Sequence, residues 1–194
     1  MIYPAVYDIT ILQNSTWRGT FRATQNRKQI SSISLASTTP TFTAPCHSYA
    51  ADDTVIFSGG DTWPCGLAPN EIYYVISSGL TADAFQVSAT ISGSSISIAA
   101  VPSGTVYVAT PVDLSTSTID ADIRVLLDDT QVGTFTTAIT DASNGAFTLT
   151  LPPASSVSIE PGRFAYDVSI TQGSGDRYYW LTGVVTVQRT YSRN

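Results

Sequence analysis

The sequence predicts an all-β protein, an Ig-like or jelly-roll-like β-sandwich with a small β-barrel-like domain inserted in one of its hairpins. Three observations carry this expectation. No sustained i, i+3, i+4, i+7 apolar pattern runs through the chain, and the helix-favouring Glu, Lys and Leu are scarce. Val, Ile, Thr, Tyr and Phe dominate instead, broken by clusters of Gly, Pro, Asn and Asp, as strands and turns require. Between residues 37 and 109 charge nearly vanishes apart from a few acidic side chains and His47, which sets that stretch apart from its flanks.

Taken in order, residues 6–12 alternate, with Tyr7, Ile9 and Ile11 on one side and Val6, Asp8, Thr10 and Leu12 on the other. Residues 16–24 place Trp17, Gly19, Phe21 and Ala23 on one face and Arg18, Thr20 and Arg22 on the other. Short strands are expected at 41–44, 54–57, 72–77, 84–89, 95–99 and 105–109. Beyond them, residues 119–127 align Ile119, Ala121, Ile123, Val125 and Leu127. Phe147, Leu149 and Leu151 share a face, as do Phe164, Tyr166, Val168 and Ile170, and residues 178–187 form the last strand. "DASNG" at 141–145 is a turn, because Asn and Gly accept positive φ at low cost. The segments before and after the middle look incomplete alone. Residues 1–36 with 110–194 are therefore expected to form the outer sandwich, and 37–109 the inserted domain, since insertion at an exposed loop costs a host fold little.

At 194 residues with 43% apolar content, the chain can bury a core, but only 12% of it is charged. The net charge is −6 and Lys28 is the only lysine. No basic patch is available to neutralise phosphates, which argues against nucleic-acid binding. Arg18, Arg22, Arg27 and Lys28 read as a solvated strand edge rather than a binding patch. The opening "MIYPAVYDITILQ" lacks the basic-then-apolar build of a signal peptide. No stretch reaches the roughly 18 apolar residues of a membrane span, so a membrane is not expected among the partners.

Chemistry-bearing residues are few. A Ser-His-Asp triad would have to use His47, the single histidine, and "PCHSY" carries no nucleophile elbow. Cys46, His47 and Cys65 supply at most three metal ligands, and adjacent side chains in a strand point to opposite faces. Cys46 and Cys65, in the same small domain and next to prolines, could form a disulfide worth roughly 3 kcal/mol, or remain two buried free thiols. Asp52-Asp53 and Asp128-Asp129 read as turn residues, and Asp120 and Asp122 project from one strand face without the loop of a calcium site. Asn14 opens an Asn-Ser-Thr sequon. No enzyme and no cofactor is expected from this inventory.

Read together, several motifs resemble structural proteins of tailed-bacteriophage virions. "YDITILQNSTWRGTF" resembles the family's opening strand, its polar x-Gln-x-x-Thr step and an aromatic strand. "TPVDLSTSTIDADIRVLL" resembles its Pro-Val-Asp-Leu-Thr-Gly step, with Ser115 and Thr116 where Thr-Gly is usual. "FTTAITDASNGAFTLTLPP", "EPGRFAYDVSIT" and "WLTGVVTVQRTYSR" resemble its hairpin and closing strands. The middle is similar to a second module of phage tail and fibre proteins, through "DTVIFSG", the Pro-Cys-Gly-Leu turn, "YYVIS" and "LTADAFQVSAT". There His47 is followed by Ser48, and Asp61-Thr62-Trp63 enlarges the loop.

The resemblance implies a non-enzymatic virion component, assembled in the host bacterial cytoplasm. It would bind other virion proteins in the tail, baseplate or fibre-attachment region, in several symmetric copies. A capsid decoration or cement protein is the alternative. A host-glycan or receptor-binding module is a further one, in which Trp63, Tyr73, Tyr107, Tyr178 and Tyr179 would form the contact surface. Trp63 is expected either there or as a cap over the small core. The chain ends and the loop 58–69 are expected to touch neighbouring subunits.

Overall fold

The computed structural model describes residues 5–190. The protein is all-β. Strands β1 (Ala5–Val6), β2 (Ile9–Leu12) and β3 (Trp17–Arg22) come first. They are followed by β4 (Thr24–Gln29), β5 (Ser32–Ala36), β6 (Thr39–Thr43), β7 (Thr54–Gly59), β8 (Ile72–Ile76), β9 (Ala84–Ser88) and β10 (Val106–Pro111). Then come β11 (Thr118–Arg124), β12 (Gln131–Thr134), β13 (Thr136–Asp141), β14 (Ala146–Leu151), β15 (Gly162–Thr171) and β16 (Arg177–Gln188). A single short helix, α1 (Pro153–Val157), joins β14 to β15 among the described residues. Two compact units result: Thr24–Val112, and the flanking segments up to Ala23 and from Asp113 onward.

The outer unit is built from two sheets. One runs β1-β16-β15-β11-β12, with β2 also paired to β16; the other runs β13-β14-β3. Its core is set by period-2 alternation with one face buried. Ile9, Ile11, Ala121, Ile123, Phe147, Leu149, Leu151, Tyr166, Val168, Ile170, Val185 and Val187 are all buried. Phe135 stands between β12 and β13, where the chain leaves one sheet for the other. Its ring lies 5.4 Å from Trp17 on β3 and 6.0 Å from Tyr166 on β15, so it links the sheets.

The expected strand 6–12 is broken in two. β1 and β2 both pair parallel with β16, at Ala5↔Leu181 and Val6↔Thr182, then at Ile9↔Val185 and Ile11↔Val187. Between them the Tyr7 N–H donates to the Thr182 carbonyl (3.0 Å). The Tyr166 hydroxyl donates to the Tyr7 carbonyl (2.6 Å), and the Val184 N–H donates to the Asp8 carboxylate (2.9 Å). Gly183 makes this crossing feasible. A Cβ there would collide with the Tyr7 carbonyl and sit 2.9 Å from the Tyr166 ring. Burial, with Tyr7 and Asp8 nearby, pushes the Tyr166 hydroxyl above the ordinary tyrosine range, which keeps it a donor.

The expected strand 119–127 stops at Arg124. Arg124 turns back on its own strand and on the turn, so Leu127 is 97% exposed instead of inside.

In the inserted unit the order is β4-β10-β7-β8-β9-β6-β5. β6 is three places from β7, about 14 Å away in a flat sheet. Yet the rings of Phe42 on β6 and Phe57 on β7 are 4.7 Å apart, and Phe42 also stacks with Phe85 on β9 at 5.6 Å. The sheet therefore curls around these fully buried phenylalanines. It stops short of a closed barrel. β4 pairs with β10 and β5 with β6, end to end, and the partners switch where the Ile30 N–H donates to the Val106 carbonyl and the Ser31 N–H to the Thr43 carbonyl. β6 and β10 themselves do not pair. For the same reason the unit begins at Thr24 and ends at Val112, wider than 37–109. Residues 95–99 form no strand beyond the Ser88↔Ser95 bridge, although Ile96 and Ile98 enter the core.

The Tyr7–Gly183 crossing yields a direct test. Gly183→Ala should lower unfolding free energy by at least about 2 kcal/mol, and Tyr166→Phe by about 1–2 kcal/mol. Gly162→Ala, whose added Cβ would meet nothing closer than 3.7 Å, should change it by less than about 0.5 kcal/mol in urea denaturation.

Candidate functional site

His47 lies in a tight connection between β6 and β7, where Cys46, Ser48 and Asp52 all adopt positive φ (53°, 61° and 67°). Such backbone needs anchors, and they are present. The Cys46 N–H donates to the Asp83 carboxylate (2.8 Å), and the Ala50 N–H to the Asp53 carboxylate (2.7 Å). The Ser92 N–H and hydroxyl both donate to Asp52. The imidazole is 5% exposed. Its Nδ1 accepts the Tyr49 N–H (2.9 Å), which assigns the ring proton to Nε2. The ring stacks on Tyr49 at 4.7 Å and meets the edge of Phe85 at 5.2 Å. His47 thus serves as a packed core residue that closes a turn, and among the described residues no hydroxyl, thiol or carboxylate is hydrogen-bonded to Nε2. Burial, then the charge of Asp53, pushes the Tyr49 hydroxyl up to about 12.

Cys46 and Cys65 are both free and both exposed, which overturns the disulfide and the alternative of buried thiols alike. Strand topology explains why. Cys46 borders the turn before β9, through Asp83. Cys65 sits in the connection from β7 to β8, where Gly66 lies against the Ser97 carbonyl. Those connections are at opposite ends of β8, whose five residues span about 17 Å. A disulfide needs Cα atoms within about 7 Å. Among the described residues no group of three His, Cys, Asp or Glu side chains could hold a metal ion. Asp122 is taken up by Arg124, Gln131 and Thr134, and Asp120 lies 3.9 Å from Arg177.

The five aromatics do not form one surface. Trp63 is half-buried, packs against the small core and donates its indole N–H to the Gly59 carbonyl (3.1 Å), so it caps that core. Tyr73 is buried, and its hydroxyl accepts the Ala68 N–H (2.8 Å). Tyr107 lies under the Arg27 guanidinium, 3.7 Å from its ring centroid. Tyr178 is half-buried. Only Tyr179 is exposed, at 50%, beside Arg177. The chain-end residues 1–4 and 191–194, expected to contact neighbours, lie outside the described residues.

The structure singles out a feature that alternation concealed, the β11–β12 hairpin tip. Leu126 and Leu127 are exposed there side by side. Arg124 braces the tip from below, donating to the Asp122 carboxylate (3.1 Å) and the Asp129 carbonyl (3.2 Å). The Val125 N–H donates to the Thr130 carbonyl (2.9 Å), and the Thr130 N–H to the Asp128 carboxylate (3.1 Å). Asp128-Asp129 was the available signal, a turn pair placed directly after the two leucines. No family model and no curated protein matches this chain.

Two measurements test these assignments. Both thiols should react with an aromatic disulfide reagent in the native protein, and reductant should leave the melting temperature unchanged. The folded-state pKa of Tyr49 lies above the ordinary value near 10, so its contribution is fully present below about pH 10. It should be lost as pH rises towards 12, amounting to roughly 2 kcal/mol. Tyr49→Phe should be near neutral at pH 7, because the hydroxyl has no hydrogen-bond partner among the described residues, and should flatten that alkaline loss.

Proposed function

We propose that this protein is a non-enzymatic structural component of a tailed-phage virion, binding other virion proteins in the tail, baseplate or fibre-attachment region. The motif resemblance along both units suggests the setting. The observation that carries the reading is the braced apolar tip. Two adjacent leucines held out at a hairpin turn gain about 1.5–3 kcal/mol each when a partner covers them. Arg124 ties the turn beneath them through Asp122 and Asp129, so part of the loop order is in place before binding. The rest of such an interface, which needs upwards of about 1,000 Å² in all, would draw on the weakly charged Ser/Thr surface, where polar groups are desolvated at less cost than charges.

The glycan-binding alternative is weaker, because a stacking platform would have to rest on Tyr179, with Tyr73 buried and Tyr107 covered. The test mixes the purified chain with particles that lack it. Wild type should rebind saturably, and Leu126→Asp with Leu127→Asp should reduce affinity at least about tenfold without changing the far-UV spectrum. Rebinding to the capsid shell alone would favour the decoration role. Failure to bind particles, with host-glycan binding lost on Tyr179→Ala, would replace the proposal with the receptor-binding one.

A further inference from the structure

The two edges of the seven-stranded sheet are managed in opposite ways. Exposed edges invite pairing with another chain, and proteins block them with charges, bulges or Pro. β4 carries such blocks: Arg27, Lys28, positive φ at Asn26 and a register shift against β10 between Val108 and Thr110. β5, "SISLA", carries none. Its only ladder is with β6, and no other backbone hydrogen bond among the described residues involves Ser32–Ala36. No Asp, Glu, Lys or Arg occurs from Gln29 to Ala51.

The hairpin geometry says which groups are unpaired. A two-residue turn, Ser37-Thr38 with φ 61° at Ser37, joins Ala36 to Thr39. The flanking pair of such a turn is hydrogen-bonded, so Ala36↔Thr39, Ser34↔Thr41 and Ser32↔Thr43 exchange bonds across β5 and β6. The amides and carbonyls of Ile33 and Leu35 therefore point away from β6 to the open edge. Their side chains sit half-buried at the rim of the small core.

We propose that this edge pairs with the same edge of a second copy of the chain, antiparallel about a two-fold axis at Ser34. That register sets Ile33 opposite Leu35 of the other copy, in both directions, and satisfies all four outward backbone groups of each strand. It also brings the half-exposed Ile33 and Leu35 side chains against their counterparts. Ser34 meets its own copy as a non-hydrogen-bonded pair, with Cα atoms about 4.5 Å apart. The neutral stretch is where two chains of net charge −6 approach at least electrostatic cost. A five-residue strand pair buries less than the roughly 1,000 Å² of a stable interface, so the association is weak in dilute solution and gains where copies are held close together. It does not depend on the virion reading.

The test uses the full chain with Cys46→Ser and Cys65→Ser, so that a single thiol can be placed on β5. Under mild oxidation Ser34→Cys should give disulfide-linked dimers at least tenfold faster than Ser32→Cys, whose counterpart lies about 13 Å along the paired strands. A mixture of Ser32→Cys and Ala36→Cys chains should cross-link to each other in preference to themselves. In the wild-type chain, Ser34→Lys should abolish concentration-dependent self-association in sedimentation, because two cations would face each other. Equal cross-linking at 32 and 34 with the far-UV spectrum unchanged would overturn the proposal, as would self-association that Ser34→Lys leaves intact.

Discussion

The outer unit depends on its last strand holding its first. β16 takes β15 on one side and the parallel β1 and β2 on the other, and only that second pairing puts Ile9 and Ile11 into the sandwich core. The contact tolerates one residue at the crossing, Gly183, because the Tyr7 carbonyl occupies the space of a side chain. Tyr166, reaching from β15, satisfies that carbonyl and so ties three strands at one point. With β1, β2 and β16 held in one sheet, the fold can release its middle at Ala23 and recover it at Asp113 while keeping a core of its own.

The inserted unit solves a different problem. It must enclose its core with a sheet whose terminal strands are two halves of one run of chain. Phe42, Phe57 and Phe85 fill the centre, and His47 with Tyr49 seals one side of it. Placing an imidazole there is tolerable because one ring nitrogen is matched by a backbone N–H and the ring faces gain aromatic contacts. A residue that looks reactive by type is consumed by packing.

Much of this was legible in the sequence wherever a strand has one buried and one wet face. β2, β14 and β15 announce themselves by alternation, and so does the choice of Ile11, Leu149 or Val168 as core. β4 was hidden because "TQNRKQ" contributes backbone and an Arg27–Tyr107 contact rather than an apolar stripe. The end of β11 was misjudged because Val125 and Leu127 continue its period, while the turn made by Asp128 and Asp129 overrides it. Alternation also leaves parity within a curled sheet undetermined. Tyr73 and Tyr107 look equally exposed in sequence, yet one is buried and the other is shielded by a cation. Cys46 and Cys65 were paired because both stand beside prolines in loops of the small unit, but β7 runs between those loops and carries them to opposite ends of the sheet.

The pairing of β1 and β2 with β16 also dictates a timetable. During synthesis from the amino terminus, β1 and β2 emerge well before β16, the strand with which they pair. Thr24–Val112 is complete well before then and can fold while Ile9 and Ile11 are still without their sheet. Contacts spanning almost the full chain close slowly, because the loop entropy must be lost before they form. The newborn protein therefore passes through a state with a finished inner unit and an unfinished outer one, whose apolar strands are open to chaperones or to one another.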